Sequence, residues 1–324
     1  MKHAARPGTA LRLLAALLLL SGAACRGEEE HVDSGRRIPL PAPAGSRASL
    51  ALDPGGRLWL ADGGRLVSLD TAGAVVSSAA LGTDAPARIV GFDTLAVYVR
   101  AGSRILAVAV DTPRVRGRRA GVPAGGFAPD PPGGDAYVLV RGGGVLGLAP
   151  GSLRPRWGWP ERGAPGTALA VSPLRDRVYL ALGGDDGARV LTRDRETGRV
   201  LSTTPVSAPV RELHAGADGT VYALLESGRG EVVALVPGPE GLAVRWRTSV
   251  RSLGLGDSAR VVVSPAGDRL AVLAPEEGGG RVRVLDAATG EERAREDGVV
   301  DAAWAPDGTL HLLGGREVRV ARPR

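Results

Sequence analysis

Asparagine and glutamine are absent from all 324 residues, and lysine occurs once, at Lys2. Beyond residue 2 the chain therefore has no amine for a Schiff base and none for a phosphate-binding loop. The single cysteine, Cys25, excludes an intramolecular disulfide and any cysteine-based zinc site. His31, His214 and His311 lie too far apart in sequence to supply zinc-ligand spacing. No Gly-x-Ser-x-Gly elbow occurs. Aromatic residues make up only 3% of the chain, so large rings cannot fill the core by themselves. The longest apolar stretch, Leu11 to Leu20 interrupted by Arg12, is shorter than the roughly 20 residues a membrane span needs.

Arginine carries nearly all the positive charge, as expected of an Arg/Ala/Gly-biased composition. The formal net charge is +6, but Lys2, Arg6 and Arg12 lie in a segment expected to be removed. Taking three from the 41 basic residues leaves 38 against 35 acidic, or +3. With acidic residues interspersed, the basic footprint of a nucleic-acid binder is missing, and no nucleic-acid partner is expected. Arg116, Arg118 and Arg119 read as a solvated hairpin or blade connection.

Glycine (48) and proline (24) are plentiful, and the turns they form recur. Each Gly/Asp/Pro turn precedes an alternating strand with Trp59, Tyr98, Tyr137, Tyr179, Tyr222, Ala271 or His311 at one aligned position. By subtraction these lie 39, 39, 42, 43, 49 and 40 residues apart. The first unit contains four strands, Leu50–Asp53, Arg57–Ala61, Leu66–Asp70 and Ala74–Ser77, separated by tight turns. A period near 40 with four strands per unit predicts an all-β, seven-bladed β-propeller of four-stranded antiparallel blades. Blades are expected at 46–84, 85–122, 123–163, 164–207, 208–251, 256–297 and 299–324. The last holds only three strands, and Arg37–Pro41 is expected to complete it, closing the ring and protecting sheet edges. The aligned aromatics, like Trp157, Trp159 and Trp246 in outer strands, read as packing between blades.

Lys2 and Arg6, the apolar run and Ser21-Gly22-Ala23-Ala24 have the layout of a signal peptide over 1–24. The sequence around Ala23-Ala24-Cys25 resembles the bacterial lipobox, with Gly22 where Leu is usual. The resemblance implies lipidation of Cys25; a tether is then expected over 25–35, and the repeats place the propeller domain over 36–324. The implied location is exported and membrane-anchored, on the periplasmic or cell-surface side. The tether includes Glu28-Glu29-Glu30 and His31 and has no apolar period.

Asp53-Pro54-Gly55-Gly56-Arg57-Leu58-Trp59-Leu60-Ala61-Asp62 resembles an NHL-type repeat. Leu285-Asp286-Ala287-Ala288-Thr289-Gly290-Glu291 and Arg193-Asp194-Arg195-Glu196-Thr197-Gly198 resemble YVTN or quinoprotein-like repeats, while the Trp-Asp endings of WD40 blades are missing. The whole is broadly similar to outer-membrane assembly lipoproteins built from quinoprotein-like repeats, usually with eight blades, which implies an envelope protein partner. Lactonase-like propellers use Asn, Asp and Glu around calcium, a set this chain cannot supply intact. Quinone-dependent dehydrogenases share the repeats, but their cofactor residues find no match here.

A channel-mouth site would draw on Arg88, Arg211, Glu212, His214, Arg260 and Asp301, either to bind an anion or an acidic segment, or as structural charge compensation. Asp185-Asp186 reads as an exposed hairpin turn. The expected function is a non-enzymatic, monomeric scaffold without cofactor or metal. A channel-mouth hydrolase or lactonase-like enzyme, and a small-ligand or glycan binder, are the alternatives.

Overall fold

The computed structural model describes residues 34–322, apart from 131–133, 141–143, 161–163, 175, 184–186, 229, 257 and 277–278. The segment 1–24 expected to be a signal peptide, Cys25, His31 and Asp185-Asp186 lie outside the described residues. Within them the chain forms seven four-stranded antiparallel sheets, each joining strands in sequence order except the last. Blades one to six run Ser49–Ala80, Ala87–Arg119, Phe127–Trp159, Gly166–Val206, Val210–Ser249 and Arg260–Val299. Blade seven takes Asp301–Trp304, Leu310–Leu313 and Glu317–Ala321 from the C-terminus and its outer strand, Ser34–Pro39, from the N-terminus.

The expected closure is present, with its strand beginning at Ser34 rather than Arg37. The last strand of blade six runs to Val299, two residues past the expected boundary, because Val299 pairs with Gly280. Arg116, Arg118 and Arg119 belong to the outer strand of blade two, Val115–Arg119, rather than to a connection. Among the described residues the only helix is a 3-10 turn, Arg251–Leu253.

Burial explains this pattern. The second strand of each blade is covered by neighbouring blades on both faces, so it reads as a nearly continuous apolar run; Val221–Leu225 and Leu310–Leu313 are buried throughout. Outer strands such as Val200–Val206 are mostly exposed or half-buried. The apolar core is not central: it divides into seven clusters, each straddling one junction between neighbouring blades. Each blade is thus stabilised chiefly by its two neighbours, and an open array would leave two faces uncovered.

Candidate functional site

Strand register places one residue of every innermost strand at the same height along the channel. Ser49, Arg88, Ala168, Glu212, Arg260 and Asp301 pair with Ala61, Arg100, Ala181, Leu224, Leu273 and Leu313, each two residues past the aligned position of its blade. Gly126, which accepts from Leu139 N–H at 2.9 Å, completes the ring in blade three. Four of the six candidate residues, Arg88, Glu212, Arg260 and Asp301, are therefore members of one ring.

The channel-facing edge of an innermost strand has amides without a neighbour in its own sheet, and buried amides need acceptors. The ring supplies them. Asp301 Oδ2 accepts the Leu50 N–H at 2.8 Å, Ser49 Oγ the Ile89 N–H at 3.1 Å, and Glu212 Oε2 the Val261 N–H at 3.1 Å. In each case the preceding blade caps the amide that follows the next blade's ring position. Between blades three and four, where the ring residues are Gly126 and Ala168, the backbones approach closely and Gly125 O accepts the Leu169 N–H at 2.9 Å. Arg260 can only donate, so Ala302 N–H turns to its own neighbour, Asp301 Oδ1, at 2.6 Å.

The charges are matched by the same geometry. Arg88 crosses from blade two to Glu212 of blade five at 3.1 Å, and Arg260 contacts Asp301, whose side chain is fully buried. His214 Nε2 lies 3.4 Å from Glu212 Oε2. Burial pulls the Glu212 carboxyl upward, but Arg88, His214 and the Val261 N–H outweigh it and hold the group well below the usual carboxylate range. Burial lowers Arg260 to about 9, with Arg88 adding to the fall. Glu212 works the other way, and at about 9 Arg260 is cationic at neutral pH. Arg100 is lowered to about 10, first by burial and then by Arg88.

A cavity of about 420 Å³ opens along this ring, lined by Arg88, Glu212, His214 and Arg260 and by apolar groups including Phe127 and Trp304. Arg211, next to Glu212 in the strand, lines a separate cleft with Leu224 and Gly256 and is not brought into the channel. Asp301 contacts Arg260 and does not line the cavity. Two guanidinium groups (Arg88, Arg260) and one carboxylate (Glu212) line the cavity, a small positive excess suited to an anion. Among the described residues no group of three or more His, Cys, Asp or Glu side chains converges as a metal site.

The aligned aromatics pack between blades as expected, and their polar atoms do more. Trp59 Nε1 donates to Asp53 Oδ2 at 3.1 Å, and the Tyr98 hydroxyl donates to Asp93. Asp93 Oδ2 also accepts the Gly151 N–H of blade three at 2.8 Å. Arg195 of blade four donates to the Tyr137 hydroxyl at 2.6 Å and pairs with Asp130. Burial and Asp93 raise the Tyr98 hydroxyl, and burial pushes Tyr222 up to about 12. Each carboxylate follows an inner strand and precedes the aligned aromatic of its blade by five to seven residues, a spacing that marks the Asp53–Trp59 and Asp93–Tyr98 pairs.

No family model and no curated protein matches this chain. Solved structures with the same fold include hydrazine synthase from Kuenenia stuttgartiensis, with a TM-score of 0.66 and 16% identity over 92% of this chain and 99% of that one. The β-propeller domain of Cps50 (Swd1) from Myceliophteria thermophila has a TM-score of 0.66 and 12% identity over 91% and 99%. BamB from Moraxella catarrhalis has a TM-score of 0.55 and 17% identity over 91% and 96%. At these identities the likeness is one of fold: the chain is a seven-bladed β-propeller.

Proposed function

We propose that this protein is a non-enzymatic, lipid-anchored scaffold of the bacterial envelope, presenting a rigid propeller to a protein partner. The observation that carries this reading is the chemical occupation of the channel. The carboxylates a hydrolase would need as acid and base hold inner-strand amides and arginines instead: Asp301 holds Leu50, Ala302 and Arg260, and Glu212 holds Val261 and Arg88. A general base so bound is disfavoured from taking up a proton. The lipobox-like Ala23-Ala24-Cys25 supports the anchor, and the likeness of the repeats to outer-membrane assembly lipoproteins supports an envelope partner. A closed scaffold with variable loops suits docking.

Cys25→Ala in the full-length chain should move the protein from the membrane to the soluble fraction; unchanged fractionation rejects the anchor. Photo-crosslinking from intact envelopes should capture one stoichiometric protein, and photoreactive chemistry is required because no lysine follows Lys2. Turnover in an esterase and lactonase screen that is lost in Arg88→Met, while the fold survives, would replace the scaffold with the enzyme. Asp301→Ala cannot decide this, since it removes a structural bond as well as a charge.

A further inference from the structure

The junctions between blades two and three, three and four, and five and six are filled by rings. Tyr98 packs on Phe127 at 5.0 Å between centroids, Tyr137 on Trp157 at 5.4 Å, and Tyr222 near Trp246 at 6.2 Å. Register shows how the last two pairs arise: Tyr137, Gly147 and Trp157 lie side by side across blade three, as do Tyr222, Ala234 and Trp246 across blade five. Trp246 Nε1 then donates at 3.0 Å to Ala287 O, in the turn before the outer strand of blade six.

In blade seven the same row reads His311, Val320 and Arg36. Arg36 reproduces the bond of Trp246, donating at 2.7 Å to Thr71 O in the corresponding turn of blade one. Neither residue replaces the missing ring volume. A cavity of about 800 Å³ lies at this closing junction, walled by Ile38, Leu58, Leu69, Val76 and Val320. That volume is within the range of small-molecule sites. The His311 ring is 8% exposed and its Nδ1 has no hydrogen-bond partner, so the substitution leaves a buried polar atom unsatisfied as well as a space.

The charges around the cavity are uneven. Asp70 Oδ1 is held by the Ala72 and Ala74 amides at 2.8 and 2.9 Å, and Asp307 Oδ1 by the Thr309 amide and hydroxyl at 3.0 and 2.7 Å. Both carboxylates are tied into their own turns. Arg57 and Arg322 also line the cavity; among the described residues neither guanidinium makes a hydrogen bond or ion pair, and Arg322 acts on Asp307 only through space. The wall is therefore apolar, ring-sized and flanked by two arginine forks suited to a planar oxyanion.

We propose that the seam between blades seven and one is a binding site for small aromatic carboxylates, the ligand ring taking the volume that Tyr and Trp fill at other junctions and its carboxylate meeting Arg57 and Arg322. The site is separate from the channel, and it stands whether or not the scaffold reading does.

Calorimetric titration of the purified full-length chain with sodium 2-naphthoate tests it. Binding is expected with a Kd below roughly 1 mM, and at least about tenfold weaker for the neutral 2-naphthalenemethanol and for Arg57→Ser. The refilled variant Arg36→Trp/His311→Tyr should lose binding and melt at or above the parent temperature. If that variant does not fold, the exposed Arg57→Ser decides alone. Absence of binding by the folded parent, equal affinity for the neutral alcohol, or undiminished binding by Arg57→Ser or by a folded refilled variant overturns the site. Capture only of acidic aromatic peptides, with no response to naphthoate, overturns it in favour of a protein-docking seam.

Discussion

Asp301→Asn isolates the electrostatics of the ring from its shape. The side chain of Asp301 is 1% exposed and that of its partner Arg260 12%, so solvent does little to screen the pair. Asparagine keeps one carbonyl acceptor for the Leu50 or Ala302 amide and strands the Arg260 cation. Breaking a buried pair by removing one partner costs about 3–5 kcal/mol, and the retained acceptor places this change near the lower end, about 3 kcal/mol. An unfolding entropy of about 2.1 cal/mol/K per residue gives ~0.6 kcal/mol/K for a domain of this length, hence a fall in Tm of about 5 °C. Adding Arg260→Met removes the stranded cation and should restore at least ~1 kcal/mol. Circular-dichroism melts and urea titrations give both numbers, and hydrogen exchange at the Leu50 amide reports whether the loss begins at the seam. A Tm within about 1 °C of the parent, or losses in the double variant that simply add, would refute the role assigned to the pair.

Glu212 is held below its unfolded pKa, so its contribution is present above the unfolded value of about 4.3 and disappears as pH falls toward the folded value. Glu212→Gln should therefore be less stable at neutral pH and show a flatter decline in acid denaturation below about pH 4.5; an unchanged acid limb would reject this. Tyr98→Phe removes the hydroxyl that donates to Asp93 and that the Gly151 amide approaches at 3.0 Å, and should cost about 1–3 kcal/mol by urea titration. A Cβ at Gly147 would come within 2.0 Å of the Trp157 ring, so Gly147→Ala should lower stability by more than about 1 kcal/mol and shift the tryptophan emission. A variant with parent stability and spectrum would show that the two strands can separate freely.

The seven-fold repeat was legible because its signals are local: turn residues, strand alternation and one aligned position per unit all lie within about 40 residues of the next. The closing strand was legible by arithmetic, since blade seven lacked one. The channel ring was only partly so. Its charged members could be named, but Asp301 finds the Leu50 amide 251 positions away, and no local pattern states that partner. Arg211 and Glu212 are adjacent in sequence and diverge at a register shift, where Arg211 is the extra residue between the paired Val210 and Glu212. Asp53 and Asp93 lie six and five residues before the rings they bond, a signal within local reach, whereas Asp130 pairs with Arg195, 65 positions away.

The outer strand of blade seven is made before the rest of the propeller and pairs with Glu317–Ala321, the last propeller strand to be made. While the chain is being made, blade seven cannot be completed, and the exposed faces of blades one and six stay uncovered until the last strands arrive. A chain truncated before Glu317 would keep every complete blade up to the sixth and still lack its ring. Closure thus depends on the two segments of the propeller farthest apart in sequence, and no part of the chain that lacks either one can form the ring.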